Sequence, residues 1–273
     1  FPKESSEDGA ISQLPETPEN QNNDGEPDHG TAPPQGQQAY SNSRDNLQEK
    51  EGGKGMSEEE RTKKSTSHPL KGETEAGWDE LLSEKLSSLQ IPLPGAGITT
   101  RDTQLPGAPR PYRHGVHEGL DFYSGYCGIE VSFGDPVYAA GSGIIYRIDH
   151  DYIELPMAER EEMLQICKEE GDTPESILDM LRGRQVWIIH SPDLVTRYAH
   201  LSEVAEHLQE GDRIEAGDYL GNVGNSGTSS GAAGKKTDSH LHFEIWLEGS
   251  YLGKGLTSQE VRSLWKTLLE KDN

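Results

Sequence analysis

Three short motifs in the second half of the chain carry side chains that can bind a metal ion and move protons. The first is His117-x-x-x-Asp121, the second is a single His200 after a run of β-forming residues, and the third is His240-x-His242. Neutral imidazole and ionised carboxylate are zinc ligands, and a catalytic zinc usually takes three protein ligands and leaves one position for water. Together the motifs predict a catalytic metal site.

The His-x-His motif lies in a stretch with the alternation of a half-buried strand. Polar residues at positions 240, 242 and 244 alternate with apolar residues at 241, 243 and 245, and a period of two is typical of a strand that has one face in the core. Residues two apart on a strand lie about 7 Å from each other on one face. Both imidazoles can therefore serve one centre, and only one of them need touch a metal.

In this order, the three motifs resemble those of the lysostaphin-type zinc endopeptidases of bacterial cell walls. The resemblance runs over about residues 105–252 and includes the glycine-rich segment 223–228 that leads into the His-x-His strand. It implies that Zn²⁺ is bound by His117, Asp121 and His242. It also implies that His200 and His240 are the two catalytic histidines, which act on the water and on the tetrahedral intermediate. Which of them takes the water proton stays open.

The resemblance further implies a fold and a substrate. The expected fold is mainly β, a small antiparallel β-sandwich or barrel of the duplicated hybrid motif type with a two-helix insertion and a C-terminal helix. The expected substrate is a stem peptide or cross-bridge of peptidoglycan, cut by a monomeric enzyme that is extracellular or in the cell envelope. A non-catalytic regulator of a wall amidase and a wall-binding module are the alternatives, and the presence of all five site residues disfavours both.

The general base must come from the histidines. No glutamate stands where a His-Glu-x-x-His protease places its base, and Glu118 is expected to point away from the metal because it directly follows His117 on an extended chain. Imidazole suits proton transfer near neutral pH. Gly119 is expected to let the chain bend, so that the histidine and the aspartate of the first motif reach one point.

Composition excludes several partners. The 273 residues carry a formal charge of -23, so the chain should repel nucleic acid and anionic membranes. The sequence has no run of eighteen apolar residues that would predict a membrane span. The start at Phe1 rather than Met predicts that a targeting or anchoring segment has been removed.

The chain divides into a tail, a linker and one domain. Residues 1–77 are polar and acidic with scattered apolar residues, which predicts a disordered tail; it either spaces the domain from an anchor or is only a solvated tail. Residues 78–104 are expected to form a short helix and a linker, with Trp78, Leu82, Leu86 and Leu89 at helical spacing. Residues 105–273 are expected to form the metallopeptidase domain.

The elements that must position the motifs are two hairpins and three helices. Strand-like runs predict one hairpin over 135–148 and another over 184–198, the second of which delivers His200. Between them lies an insertion, 151–183, with a helix over 156–170 and a second helix that starts after Thr173 as N-cap. It contains no histidine, and it is expected either to wall the cleft and restrict the substrate or to be peripheral. Residues 258–270 predict a terminal amphipathic helix.

Several residues near the first motif have an expected structural part. Cys127 and Cys167 are predicted to form a disulfide, with two separate buried thiols as the alternative. Arg110 and Arg113 are expected to pair with acidic neighbours, and contact with a substrate carboxylate is the alternative. The aromatic residues Phe122, Tyr123 and Tyr126 are expected to form an apolar floor for the site.

Overall fold

The computed structural model of the chain describes residues 86–270. The predicted tail, 1–77, and most of the predicted helix that begins at Trp78 lie outside the described residues. The two described apolar residues of that helix, Leu86 and Leu89, are buried in the main core. Within 86–270 the fold is mainly β, as the sequence predicts.

The elements of the described part are twelve strands, four α-helices and two short 3₁₀ helices. The strands are β1 (Pro109–Arg110), β2 (Gly115–Val116), β3 (Leu120–Tyr123), β4 (Pro136–Tyr138), β5 (Gly143–Ile148), β6 (Val186–Ser191), β7 (Leu194–Ala199), β8 (Leu201–Val204), β9 (Arg213–Ile214), β10 (Tyr219–Val223), β11 (His240–Leu247) and β12 (Ser250–Tyr251). The helices are α1 (Met157–Glu170), α2 (Glu175–Leu181), α3 (Ser229–Ala232) and α4 (Ser258–Leu269), with 3₁₀ helices at Asp102–Gln104 and Pro111–Arg113.

Two antiparallel sheets share one core. The larger sheet has the order β12-β11-β7-β6-β5-β9, and β3 also pairs with β11. The smaller sheet has the order β4-β10-β8, and β1 pairs with β2 as a separate ribbon. Apolar side chains of both sheets belong to a single buried cluster, for example Val137 and Leu220 from the smaller sheet and Ile188 and Phe243 from the larger. The predicted antiparallel β fold is confirmed.

One of the two predicted hairpins is confirmed and the other is wrong. Strands β6 and β7 pair as expected, whereas β4 pairs with β10 and β5 pairs with β6 and β9. Gly141, between β4 and β5, and Gly143, the first residue of β5, lie where the chain crosses from the smaller sheet to the larger one. A Cβ on Gly141 would lie 2.7 Å from the Leu89 side chain, and one on Gly143 would lie 2.5 Å from the carbonyl oxygen of Ile189. Glycine at these two positions allows the backbone to pack closely against neighbouring residues. It does not form the tight turn of a hairpin.

The helices follow the predicted order. The insertion contains α1 and α2, but Pro174 occupies the N-cap of α2 instead of the predicted Thr173, whose hydroxyl bonds to Arg113. Helix α4 begins after Thr257, which forms a capping box with Glu260, and it buries its apolar face in the core. None of the helices within 86–270 is both long enough and apolar enough to cross a membrane.

The predicted disulfide is not formed. Both Cys127 and Cys167 are free and buried. Cys127 packs in the main core, where its thiol donates to the carbonyl oxygen of Tyr123 at 3.3 Å. Cys167 lies in a separate small cluster with Ile177 and Leu181. The insertion therefore has its own apolar cluster, and no covalent bond joins these two cysteines.

We expect the unfolded, unreduced chain to present two free thiols in a thiol titration, because the two cysteines are buried in different clusters. The thermal midpoint should also be unchanged by a reductant, since no cross-link constrains the unfolded chain. Fewer than two thiols, or a midpoint that falls in reductant, would contradict this arrangement.

Candidate metal centre

Strand β11 supplies two of the histidines on one face. Its apolar residues point into the core, and the alternate positions, which include His240, His242 and Glu244, point the other way into a cleft. The pairing of β11 with β3 sets Asp121 directly opposite His242, and Tyr123 opposite His240. Directly opposed residues in an antiparallel pair have adjacent side chains on the same face. The register therefore brings the carboxylate beside the imidazole.

His117 reaches the same point from the segment between β2 and β3. Its backbone N–H donates to the carbonyl oxygen of Ala108 at 2.8 Å, which fixes this segment against the chain that leads into it. Gly119 is required for a reason other than the predicted bend. A Cβ there would lie 2.6 Å from the carbonyl oxygen of Phe243 and 2.9 Å from the His242 ring, so only glycine lets this segment pack against β11.

Three ligand atoms converge between these elements. His117 Nε2 lies 2.9 Å from Asp121 Oδ1 and 2.9 Å from His242 Nδ1, and His242 Nδ1 lies 2.8 Å from Asp121 Oδ1. In both histidines, the ring nitrogen that does not face Asp121 forms a hydrogen bond that fixes the orientation of the ring. Nδ1 of His117 bonds to the carbonyl oxygen of Leu105 at 3.0 Å, and Nε2 of His242 bonds to Glu244 Oε1 at 2.9 Å. In the neutral rings, both nitrogens that face Asp121 therefore carry lone pairs.

This arrangement fits a bound cation. Burial lowers the pKa of His117 to about 4, so its ring is neutral near pH 7. Burial also opposes the charge of His242, but its bonds to Asp121 and Glu244 raise the pKa of its ring, so a proton there competes with a metal. Burial opposes ionisation of Asp121, yet the adjacent histidines hold its pKa well below the usual range. Two imidazoles and one carboxylate form a donor set that suits zinc.

His200 lies at the corner where the chain passes from the larger sheet to the smaller one. It connects β7 to β8, and its φ of 60° lies in the left-handed region that non-glycine residues seldom adopt. Its backbone N–H donates to the carbonyl oxygen of Arg182 at 2.9 Å, and its Nδ1 bonds to the carbonyl oxygen of Ser226 at 2.7 Å. Its ring centroid lies 4.7 Å from that of His240 and 5.6 Å from that of His242.

His240 lies between Tyr123 and the three converging groups. Its ring stacks on the Tyr123 ring with centroids 4.0 Å apart, and its Nε2 lies 3.8 Å from Asp121 Oδ1. Nδ1 bonds to the carbonyl oxygen of Asp238 at 2.9 Å. In both His200 and His240 the bond to a carbonyl places the proton on Nδ1, so Nε2 is left as an acceptor. Burial lowers the pKa of both rings.

Glu244 is a site residue to which the sequence analysis assigned no role. It is only 1% exposed, and it accepts hydrogen bonds from His242, from Trp246 Nε1 at 2.6 Å and from Arg197 at 3.3 Å. Despite burial, the neighbouring Arg182 and His242 hold its pKa well below the usual range. Such a carboxylate orients a metal-binding histidine and raises its basicity. The available signal was its position two residues after His242 on the same strand face.

The insertion reaches this network through its last helix. Arg182, at the end of α2, is 2% exposed and its Nε donates to Glu244 Oε1 at 2.7 Å. The same guanidinium binds Glu118 at 2.5 Å and Glu175 at 3.0 Å. Glu118, which was expected to point away from the metal, thus lines the cleft beside Arg182. The insertion was expected either to wall the cleft and restrict the substrate or to be peripheral, and Arg182 adds a contact with Glu244, the carboxylate that bonds to His242.

The converging groups open into a cleft of about 860 Å³. Residues of the insertion line one side of it, including Arg160, Leu164 and Leu178, so the predicted wall is present. Of the expected aromatic floor, Tyr123 and Tyr126 line the cleft, but Phe122 points into the core because adjacent residues on β3 face opposite ways. The predicted ion pair of Arg110 is formed, with Nη2 at 3.2 Å from Asp121 Oδ2.

Metal-dependent hydrolases combine three protein ligands with adjacent acid–base groups, and the residues that converge here are of those types. Residues 115–253 match the family model described as peptidase family M23. This range covers half of the chain and contains all five residues of the three motifs. The chain therefore belongs to peptidase family M23, and the family predicted from the motifs is confirmed.

Two curated relatives and a solved structure are similar to the chain. An uncharacterized metalloprotease of Buchnera aphidicola is 23% identical over 153 residues, 56% of this chain and 29% of the relative. The peptidoglycan DD-endopeptidase ShyC of Vibrio cholerae is 23% identical over 134 residues, 49% of this chain and 21% of the relative. The chain thus matches less than a third of either relative's length. A zinc-containing peptidase from Vibrio cholerae aligns with 60% of this chain and 38% of its own, at 19% identity and a TM-score of 0.38.

We expect Glu244→Gln to lower the zinc affinity of the purified chain by about 10- to 100-fold, because the bond that orients His242 loses its charge. Competition with a chromophoric chelator measures this affinity. Glu210→Gln is the matched control, since Glu210 is exposed and remote from the cleft lining. Equal zinc affinities for Glu244→Gln and the wild type would show that Glu244 does not support the ligand.

Arg182→Met should destabilise the fold by about 3 kcal/mol or more, because it leaves the buried Glu244 with less compensating charge. Denaturant unfolding of the metal-free protein measures the loss. Arg213→Met, on an exposed arginine of β9, should change the free energy of unfolding by less than about 0.5 kcal/mol. A similar small change for Arg182→Met would contradict a supporting role.

Proposed function

We propose that the chain is a zinc metalloendopeptidase that cuts peptide bonds in peptidoglycan. The observation that carries this proposal is the convergence of His117 Nε2, Asp121 Oδ1 and His242 Nδ1 within 2.9 Å of one another. In this proposal the three residues are the zinc ligands. When bound, zinc supplies Lewis-acid activation of a water molecule and of the scissile carbonyl.

The remaining two histidines perform the proton transfers. His200 and His240 each hold a proton on Nδ1 through a backbone carbonyl and present Nε2 as an acceptor. One can take the proton of the attacking water, and the other, once protonated, can donate to the oxyanion or to the leaving amine. Tyr123 fixes the plane of the His240 ring by stacking on it. The left-handed backbone at His200 directs its ring to the same point.

The proposed substrate is a stem peptide or cross-bridge of peptidoglycan. Support comes from the similarity to a relative named a peptidoglycan DD-endopeptidase and from membership of a peptidase family. The cleft is open and is lined by charged, aromatic and aliphatic residues, which suits an extended peptide that carries both polar and apolar groups. A regulator that only binds the wall has no need of two histidines with free Nε2 atoms beside a metal site.

We further propose that the protein acts as a monomer, outside the cell or in the envelope, where peptidoglycan is found. Residues 1–77 would then serve as the spacer to an anchor. The strong negative charge of the chain, -23, gives little electrostatic attraction to anionic wall polymers. Attachment would therefore have to come from a segment other than the domain surface.

We expect about one zinc per chain, lost in His117→Ala, Asp121→Ala and His242→Ala, and largely kept in His200→Ala and His240→Ala. The reason is that ligands set affinity, whereas the other two histidines act on water and substrate. Metal analysis of the five purified variants after dialysis measures this. Zinc loss in His240→Ala as complete as in His242→Ala would overturn the assignment of roles.

Digestion of purified peptidoglycan provides the activity test. New free amino groups should appear with the wild type, and His200→Ala and His240→Ala should reduce their rate by about 10²- to 10⁴-fold. His207→Ala is the control because His207 is exposed and does not line the cleft. If the zinc-loaded wild type releases no amino groups but accelerates a wall amidase, the chain is a regulator and the proposed activity is wrong.

A further inference from the structure

The imidazole of His200 is oriented by a loop in another part of the chain. His200 has a left-handed backbone, and its Nδ1–H donates to the carbonyl oxygen of Ser226 at 2.7 Å. A proton on Nδ1 leaves Nε2 as the acceptor, and a general base has to hold that acceptor within reach of the proton it removes. The position of the Ser226 carbonyl therefore sets the direction of His200 Nε2.

Ser226 and Gly227 pack against the C-terminal end of the insertion. A Cβ on Gly227 would lie 2.6 Å from the backbone nitrogen of Gly183, and a Cβ on Gly183 would collide with the carbonyl group of Ser226. The Ser226 hydroxyl accepts the backbone N–H of Arg184 at 2.9 Å. Backbone packing thus fixes one side of this loop, and only glycine fits at the two points of closest approach.

The N-terminal end of the insertion holds the same loop through a carboxylate. Glu154, which precedes α1, accepts the backbone N–H of Gly227 with Oε1 at 3.0 Å and Oε2 at 3.2 Å. The Tyr152 hydroxyl and the backbone N–H of Leu155 donate to Oε1 at 2.9 and 3.2 Å, which fixes the carboxylate itself. Arg160 of α1 donates to the carbonyl oxygen of Gly227 at 3.4 Å. The insertion therefore binds both polar backbone groups of Gly227.

The N–H that Glu154 binds and the C=O that His200 binds are the two ends of one peptide unit, the one that joins Ser226 to Gly227. A peptide unit is planar, and in the usual trans form its N–H and C=O point in opposite directions. Rotation of this unit would break both hydrogen bonds together. Hydrogen bonds in a chain also polarise one another, so the carboxylate strengthens the bond on the far side of the peptide unit.

We propose that Glu154 is a positioning residue for His200, which it orients through the peptide unit between Ser226 and Gly227. The inference rests on the proposed function, in which His200 takes part in proton transfer, and it gives the insertion a part in that step. Glu154 is not among the residues that line the cleft, so it has no contact with a bound peptide. Its loss should therefore lower kcat and change KM little.

The first test follows the Nδ1–H of His200 by NMR on the zinc-loaded full chain with labelled histidine. The signal is assigned by its absence from His200→Ala. We expect Glu154→Ala to speed the exchange of this proton with water at least about tenfold, because its acceptor is no longer held in place. The Nδ1–H of His240, which bonds to the carbonyl oxygen of Asp238, should change less than about threefold.

The two protons distinguish positioning from a general structural effect. Faster exchange at His200 alone supports the proposal. An equal acceleration at His200 and His240, which a general loosening of the domain would cause, would overturn it, and so would unchanged exchange at His200.

The second test measures cleavage of a soluble cross-linked stem-peptide dimer. Glu154→Ala should lower kcat about 10- to 100-fold, with KM within about threefold of the wild type and the zinc content unchanged. Glu159→Ala is the matched control, because Glu159 lies in the first turn of α1, is exposed and does not line the cleft. In a His200→Ala background, Glu154→Ala should lower the residual rate less than about twofold, since a residue that acts through His200 has no effect without it. A full further loss would overturn the assignment.

Glu154→Gln keeps an oxygen acceptor and removes the charge. It should therefore show the same changes at a smaller size, about threefold in the exchange rate of the His200 proton and in kcat. If Glu154→Ala does not fold, this variant decides the question. Exchange and kcat equal to those of the wild type would then overturn the proposal.

The exchange measurement separates this inference from the proposed function because it needs no turnover. If Glu154→Ala speeds exchange at His200 but the wild type cuts neither the dimer nor peptidoglycan, the proposed activity is wrong and Glu154 still orients the ring. If the wild type is active and Glu154→Ala changes neither exchange nor kcat, the activity stands and the positioning role is wrong. Faster exchange with an unchanged kcat in an active enzyme would also overturn that role.

Discussion

The pairing of β11 with β3 on one edge and with β7 on the other is the constraint on which the site depends. On the β3 side it sets Asp121 opposite His242, and on the β7 side it sets Ala199, the residue before His200, opposite the same histidine. A slip of one residue in either register would turn the imidazoles of β11 into the core and its apolar residues into the cleft. The buried core face of β11, with Phe243 against Trp265 of α4, opposes such a slip. Core packing and site geometry are therefore set by the same pairing.

A second constraint is the compensation of buried charge beneath the proposed metal ligands. Glu244 is enclosed by Arg182, Arg197 and Trp246, and the Arg197 guanidinium itself lies between the rings of Trp187 and Trp246, 3.9 and 4.3 Å from their centroids. Removing ions from water is expensive, and a buried ion pair is seldom more stabilising than apolar packing of the same volume. Such a network is better explained by the geometry it imposes. It holds His242 Nε2 on one oxygen of Glu244, so that Nδ1 faces Asp121 and His117.

The sequence predicts the parts of this molecule that depend on local pattern. Alternation predicted the strand of His240 and His242, helical spacing predicted α1 and α4, and the turn at Ser191 predicted the β6–β7 hairpin that delivers His200. Prediction from local pattern failed where the structure depends on pairing between strands that are far apart in the sequence. Strand β4 pairs with β10, some eighty residues further along the chain, and no local pattern distinguishes that from a hairpin with β5. Glu244 was missed for a similar reason, because its partner Arg182 is 62 residues away.

The position of the insertion explains how one segment can contact both the proposed metal site and the cleft wall. It leaves the larger sheet after Ile148 and returns at Val186, two residues that are directly paired across β5 and β6. The insertion is thus a long hairpin loop, and lengthening such a loop has a small entropic cost, so the sheet tolerates it. Its two ends are held by the bonds between Asp149 and Gln185, which keep Arg182 close to Glu244. The distal part, α1, is free of that constraint and packs along the cleft. Changes in α1 can therefore alter the shape of the cleft, while the segment next to β6 continues to support His242 through Glu244.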